Sequence, residues 1–290
     1  MKDAYLILCH NHLAQVRMLA DYAVAHGHEV FIHVDAATEI PADFCSPSEH
    51  IHIIPNPVHV VWADWTVTQA MLLLMRAAAS CGKEFRYVHL LSGQCLPAMA
   101  EPALDAELTR AAEQKTQFIQ SYPMPAWNHW PIDGGMHRVS VWYPRWMVSK
   151  YSKWHRYFWP YTNKWRRLRL RRPGYFFFRP FYGGSQWWSL TGECVRAVLA
   201  YADAHPFFTA FFKHTFCSDE LFVQCCLMRT PFADHVCNDN KRFLRWQKPN
   251  DPSPMLLDEA SWPLIKESGC FFARKFALPP EQVQEYLHSL

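Results

Sequence analysis

The chain has no Asp-x-Asp, no His-Glu-x-x-His and no Cys-x-x-Cys. The first absence removes the usual carboxylate pair that holds a divalent ion on a nucleoside diphosphate. The sole Asp-x-Glu, Asp105 to Glu107, falls in a helix-like stretch. The other two absences remove the metalloprotease, zinc-ribbon and dithiol redox motifs. Neither G-x-x-x-x-G-K-[ST] nor G-x-G-x-x-G occurs, so ATP hydrolysis and dinucleotide chemistry lose support. His10 and His12 alternate near a strand end without a third ligand, so no metal is expected. No apolar run approaches the roughly 18 residues of a spanning helix. Met1 to His10 lacks the basic start, long apolar middle and small-residue cleavage site of a signal peptide. The ten cysteines read as free thiols of a reducing cytoplasm.

What is present is a chain of 290 residues, half of them apolar, enough to bury a large core. The net charge is only +3, but it is unevenly placed. Eleven Lys or Arg and no acid lie between Arg145 and Arg179, which leaves 18 basic against 26 acidic residues elsewhere. A basic patch on an acidic body implies an anionic ligand or surface.

The apolar run 4–9 suits a buried parallel strand. Asn11 is placed to cap a helix carrying Leu13, Val16, Leu19, Ala20 and Ala23, and Gly27 is placed to close it. Val30 to Val34 is a second strand, giving a β-α-β opening with a right-handed crossover. Strands are also expected at 51–54, 87–91 and 116–120, with short ones near 235–246. Helices are expected at 65–79, 103–112, 191–204, 218–228 and 258–268. After Ser121, the prolines at 123, 125 and 131 and Gly134-Gly135 mark a loop. The segment 142–182 carries Trp146, Trp154, Tyr157, Trp159, Trp165, Arg166, Arg167, Arg169, Arg171 and Arg172, and reads as helical insertions. One α/β domain over 1–290, with 123–182 inserted into it, fits better than two domains.

Two segments stand out chemically. Tyr182-Gly-Gly-Ser-Gln-Trp-Trp-Ser189 has two glycines that let backbone approach a ligand or a strand closely. Ser185 and Gln186 match sugar hydroxyls, and Trp187 and Trp188 offer faces for a pyranose ring; a bulge followed by two core tryptophans is the plainer reading. About thirty residues on, Ser218 is placed as an N-cap, with Asp219 and Glu220 in the first helical turn. Compensation of the helix dipole would explain both acids. That is the plainer reading of the local sequence; the functional one makes Glu220 a general base whose ionised form the helix start favours. In Phe271-Phe-Ala-Arg-Lys-Phe276, Arg274 and Lys275 sit where a pyrophosphate leaving group could be met by positive charge, or form a solvated turn. Lys241, Arg242 and Arg245 add charge nearby in sequence. Asp35 ends the second strand and Ser92-Gly93-Gln94 follows the strand at 87–91. Ligands of open α/β sheets bind beyond such carboxyl ends, although both are also ordinary turn positions.

Together these segments resemble glycosyltransferase family 14, which includes the core-2/I-branching β-1,6-N-acetylglucosaminyltransferases and the peptide O-xylosyltransferases. The matching pieces are Phe31-Ile-His-Val-Asp35, Val61-Trp-Ala-Asp-Trp65, His89-Leu-Leu-Ser-Gly-Gln94, Tyr182-Gly-Gly-Ser-Gln-Trp-Trp-Ser-Leu190, Ser218-Asp-Glu220, Arg242-Phe-Leu-Arg-Trp246 and Phe272-Ala-Arg-Lys-Phe276, in family order. The resemblance implies a GT-A-like (Rossmann-like) mixed sheet flanked by helices. It implies inverting, metal-independent transfer of GlcNAc or xylose from UDP-GlcNAc or UDP-xylose to a hydroxyl of a glycan or lipid-linked acceptor. No cofactor is implied beyond the UDP-sugar co-substrate. Glu220 matches the catalytic base and Lys275 the diphosphate-binding lysine, while Asp35 falls where the nucleotide is contacted. The partner arginine is Arg245, Arg242 or Arg274. Ser92, Gly93, Gln94, Ser185, Gln186, Trp187, Asp64 and Trp65 are expected on the sugar and acceptor side.

A start so close to the first strand suggests a compact bacterial member, acting in surface polysaccharide or glycoconjugate synthesis. It is expected in the cytoplasm, at the inner face of the membrane, with the basic-aromatic stretch making peripheral contact with anionic lipid. The alternative is a catalytically inactive carbohydrate-binding protein of the same fold. A nucleic-acid-binding role for the basic stretch is disfavoured by the acidic remainder and the lack of a recognition motif.

Overall fold

Residues 4–9 are apolar throughout because the strand they form is buried on both faces. In the computed structural model, which describes residues 2–45, 48–130, 132–149, 153–168, 170–248, 251 and 253–290, β1 (Ala4–Cys9) turns Ala4 and Leu6 into one core and Tyr5, Ile7 and Cys9 into another. That alternation is the two-residue period of a strand. Helix α1 (Leu13–Ala25) buries Val16, Leu19, Ala20 and Ala23. Its cap is His12 in the left-handed region, with no side-chain hydrogen bond, so the expected Asn11 cap is not formed. Gly27, at φ 84°, takes the chain out of the helix into β2 (Glu29–Val34), as only glycine does without strain.

Strand β3 (Ile51–Ile53), helix α2 (Trp65–Ser80), strand β4 (Tyr87–Ser92), strand β5 (Leu96–Pro97) and helix α3 (Glu101–Glu113) follow. The segment 116–120 is not a strand. Its main chain makes only isolated bridges, Gln117 to Val236 and Phe118 to Ser189, because Ile119 N–H turns back onto the Gln117 carbonyl. Strands β6 (Tyr122–Pro123) and β7 (Tyr182–Gly183) pair antiparallel. They bracket an excursion containing α4 (His137–Ser140), α5 (Arg145–Val148) and α6 (His155–Arg167). Among the residues singled out there, Pro131, Arg169 and the side chains of Trp159 and Arg166 lie outside the described residues.

Strand β8 (Ser189–Thr191) leads into α7 (Gly192–Ala204), capped by Thr191, and α8 (Pro206–Phe212). The helix expected at 218–228 is broken: a 3-10 turn, Ser218–Glu220, is separated from α9 (Phe222–Leu227) by Leu221 at φ −132°. Only β9 (Arg242–Phe243) is a strand near 235–246. The helix expected at 258–268 divides likewise into a 3-10 turn, Glu259–Ser261, and α10 (Trp262–Glu267). Strand β10 (Phe272–Ala273) and helix α11 (Pro280–His288) finish the chain.

The main sheet has the order β3-β2-β1-β4-β8, parallel except for β8. Side chains of α2, α7 and α9 fill one face, and those of α1, α11 and the small sheet β5-β10-β9 fill the other. This mixed sheet flanked by helices is the GT-A-like architecture that the resemblance implies. The antiparallel β8 sends the chain before it, residues 183–188, to the edge where β1, β2 and β4 end, since Leu90 N–H bonds the Trp188 carbonyl.

Candidate active site

The two glycines of the 183–188 segment are required by close backbone packing. A Cβ on Gly184 would lie 2.2 Å from the Gln120 carbonyl oxygen, and one on Gly183 would lie 2.5 Å from the Trp130 ring and 3.2 Å from the Glu220 carbonyl. Gly184 N–H donates to that same Glu220 carbonyl at 3.0 Å, and Gln224 Nε2 donates to the Ser185 carbonyl at 2.8 Å. The loop and Glu220 are therefore one connected unit.

Glu220 ends the 3-10 turn, with its side chain 32% exposed. Ser218 is not the expected cap: its hydroxyl bonds Thr68 Oγ1 at 2.7 Å, while Cys217, in the left-handed region, starts the turn and bonds the Ala63 carbonyl. The charge opposite Glu220 is not a helix dipole but Arg138, whose Nη1 donates to Glu220 Oε2. Arg138 lies 4.4 Å over the Trp130 ring. Burial works against its charge, but Glu220 outweighs that and holds the guanidinium above its ordinary value. The neighbouring Asp219 is buried, and its Oδ1 has no hydrogen-bond partner. Burial, then the charge of Glu220, pushes its carboxyl up to about 7. Burial also lowers nearby His129.

The second group lies at the carboxyl ends of the parallel strands. Asp35 follows β2, and its carboxylate accepts from the amides of Ala37 and Val60 and from His59 Nδ1. Burial would raise its pKa, but these hydrogen bonds hold it below the usual range. Gly93 is a packing glycine, since a Cβ there would meet Val16 at 2.8 Å and Cys9 at 2.9 Å. The Ser92 hydroxyl is turned inward to Cys95 Sγ and the Gln94 amide. The Gln94 carbonyl accepts from Phe276 N–H at 2.9 Å, which brings 274–276 to this edge.

Arg274 spreads over the Trp187 ring at 4.2 Å, so that face of Trp187 is taken by a cation rather than a sugar. Lys275 Nζ bonds Ser253 Oγ at 2.7 Å. Burial, with Arg274 beside it, lowers the lysine's pKa. Burial likewise lowers Arg274.

Three expected contacts face elsewhere. Arg242 is buried on the Phe272 ring, with its terminal nitrogens taken up by Ser189 Oγ and the carbonyls of Asn240, Leu90 and Trp188. Burial pushes it down to about 10. Trp65 is a core residue packed edge-on against Phe222. Asp64 caps α2 through Thr66 N–H and pairs with Arg145. Arg245, exposed, bonds Ser261 Oγ. The Ser185 hydroxyl accepts from Trp187 N–H, and Gln186 is half-buried.

The sequence reading missed Arg138 and its platform Trp130. Arg138 sits in the four-residue helix α4 and meets Glu220 across 82 positions, so no local pattern marks it. A cleft of about 540 Å³ abuts this segment, lined by Trp127, Ile132, Met136, Ser140, Arg167 and Arg171, with Pro125 and Asp133. Among the described residues, no group of three or more His, Cys, Asp or Glu is placed to hold a metal ion.

The family model described as "Branch: Core-2/I-Branching enzyme" matches residues 4–263. The chain belongs to the core-2/I-branching enzyme family. This is glycosyltransferase family 14, so the activity is glycosyl transfer from a sugar-nucleotide donor to a glycan acceptor. No curated protein matches the sequence. Glu220, Asp35 and the 183–188 loop lie inside the span matched to the core-2/I-branching model, whereas Arg274 and Lys275 lie beyond its end. Among the described residues, no helix is long and apolar enough to cross a membrane.

Proposed function

We propose that this core-2/I-branching enzyme is an inverting, metal-independent transferase that moves GlcNAc or xylose from a UDP-sugar to a hydroxyl of a glycan acceptor. The observation that carries the reading is the placement of Glu220, a half-exposed carboxylate fixed through its own carbonyl to the Gly183-Gly184 loop and steered by Arg138. Oε2 faces the arginine, and Oε1 remains to take the proton of the incoming hydroxyl. Inversion follows if that hydroxyl attacks the anomeric carbon on the face opposite UDP. The C1–O bond to the diphosphate breaks as the new C1–O bond forms, through an oxocarbenium-like transition state.

Negative charge then grows on the departing UDP. Lys275 and Arg274, at the strand edge bonded to Gln94, supply opposing charge there. A cation in a partly desolvated site acts on that charge more strongly than one in bulk water. The acceptor would approach along the cleft that abuts the Arg138 segment, where exposed Trp127 offers an apolar face and Arg167 and Arg171 offer donors.

The test is Glu220→Gln, which should lower turnover by about 10²–10⁴-fold in a protein that remains folded. A fully active variant ends the catalytic assignment. Calorimetry against a panel of UDP-sugars identifies the donor, and transfer that persists in EDTA supports the metal-free reading. Strict dependence on an added divalent ion would overturn it. Sugar binding without any release of UDP in the presence of acceptors would instead favour an inactive carbohydrate-binding protein.

A further inference from the structure

Apart from Arg171, which lines the cleft assigned to the acceptor, the segment 171–180, Arg-Arg-Pro-Gly-Tyr-Phe-Phe-Phe-Arg-Pro, has no role in the proposed transfer, yet it is closely built. Arg172 anchors it from below, bonding the carbonyls of Val139 and His214 and the hydroxyl of Thr215, and lying over Phe211 at 3.5 Å. Arg229 grips the far end through the carbonyls of Phe178 and Pro180. Gly174, at φ 80°, lets the chain turn, and Phe178 N–H closes onto its carbonyl. Tyr175 and Phe181 are buried, and Phe178 packs on Phe208 and Phe211.

Between these anchors, Phe176 and Phe177 are 72% and 83% exposed. Two adjacent phenylalanines displayed by a firmly held loop cost solubility and gain little internal packing, each ring touching its chain neighbour edge-on, Tyr175 and Phe178. Cations stand at their base: Arg171 and Arg179 lie over Tyr175 at 5.2 and 5.9 Å, and the Tyr175 ring meets Phe176 at 5.0 Å. No acid occurs between Arg145 and Arg179, and α6 in that stretch exposes Tyr157 and Tyr161.

We propose that this loop is an insertion wedge that docks the protein on an anionic lipid bilayer, with Phe176 and Phe177 entering the interface and Arg171 and Arg179 meeting lipid phosphates. The physics is that of peripheral binding. Apolar side chains gain by leaving water, and cations gain about tenfold or less each from the negative surface potential. Aromatic rings settle at the headgroup level. Arg171 also lines the cleft of about 540 Å³, so the docked bilayer lies beside that cleft.

The experiment is co-sedimentation of the full chain with phosphatidylcholine vesicles, with or without about 30% phosphatidylglycerol. Wild type should bind the anionic vesicles and leave the neutral ones, and raising salt from about 0.1 to 0.5 M should weaken binding by shortening the screening length. Phe176→Ser with Phe177→Ser should cut partitioning by about tenfold or more. Arg171→Glu with Arg179→Glu should abolish the preference for anionic lipid. Leu264→Ser, on α10 on the opposite side of the main sheet, should change nothing. Both phenylalanines are exposed, so the double variant should unfold at the wild-type midpoint. The proposal falls if wild type ignores anionic vesicles, or if the folded double variant binds as tightly as wild type. It falls too if sedimentation velocity shows a lipid-free dimer that the double variant loses, since a second copy would then be the occupant.

Discussion

Arg138 donates to the carboxylate of Glu220 while lying 4.4 Å over the Trp130 ring, so one side chain fixes the direction of the proposed base. Trp130 in turn fills the space that the missing Cβ of Gly183 leaves open. Tryptophan, arginine and glutamate form a stack in which each member limits the freedom of the next. Arg138 acts through Glu220 and is a positioning residue. Arg138→Met should lower kcat by about 10–100-fold, because a small misplacement of a reacting group costs that order of rate. The donor KM should hardly move, and Arg138→Lys should recover part of kcat. A loss confined to KM, or a uniform loss explained by a lower unfolding midpoint, would count against this role.

Asp219 gives the fold a pH dependence. Its folded-state pKa, about 7, lies above the ordinary 3.8, so the folded state holds that proton more tightly than the unfolded chain. The resulting stability is complete below about pH 4 and is lost as pH rises through 7. Urea midpoints measured between pH 5 and 8 should fall with pH from this group, and Asp219→Asn should flatten the fall. An equal slope in the variant would show that another group titrates.

Arg242 and Lys275 are both cations near the strand edge, yet their substitutions should separate cleanly. Arg242→Met strands buried acceptors at Leu90, Trp188 and Asn240, each costing about 1–3 kcal/mol, so it should lower the unfolding midpoint sharply. Lys275→Ala removes one bond to an exposed serine. It should leave the midpoint nearly unchanged and weaken UDP binding by about tenfold or more, as read by calorimetry. Unaltered UDP affinity would exclude Lys275 from the diphosphate site.

Gly184→Ala should destabilise by about 1–3 kcal/mol through overpacking against Gln120. Turnover should fall with stability, because the displaced Gly184 N–H is the one bonded to Glu220. A variant with wild-type midpoint and rate would mean that the loop shifts freely.

The strands and main helices could be read from the chain because their signals are local. The apolar run at 4–9, the helical spacing from Leu13 to Ala23 and the glycine at 27 each report on their own neighbourhood. Asp35 and Gln94 were readable as edge positions for the same reason: a strand end is visible from the strand. Misreadings arose where distant contacts prevailed. Segment 116–120 has strand-like residues, but its main-chain bonds go to His235, Cys237 and Ser189. Arg242 looks like a loop cation until Phe272 and β4 are brought around it. Trp187 offers a ring that Arg274 already covers. Arg138 gave no signal, since nothing in the run from Met136 to Ser140 tells which of 290 residues it will meet.

The pairing of Tyr122 with Gly183, in a two-stranded sheet of its own, brings both ends of the long excursion to almost one point. Everything from 124 to 181 thus forms one excursion between those two residues, and Val139, Tyr175 and Phe181 tie it into the main core. A graft that shortened it would have to restore a guanidinium for Glu220 and an indole to seat it, so the excursion carries the support of the proposed base within itself.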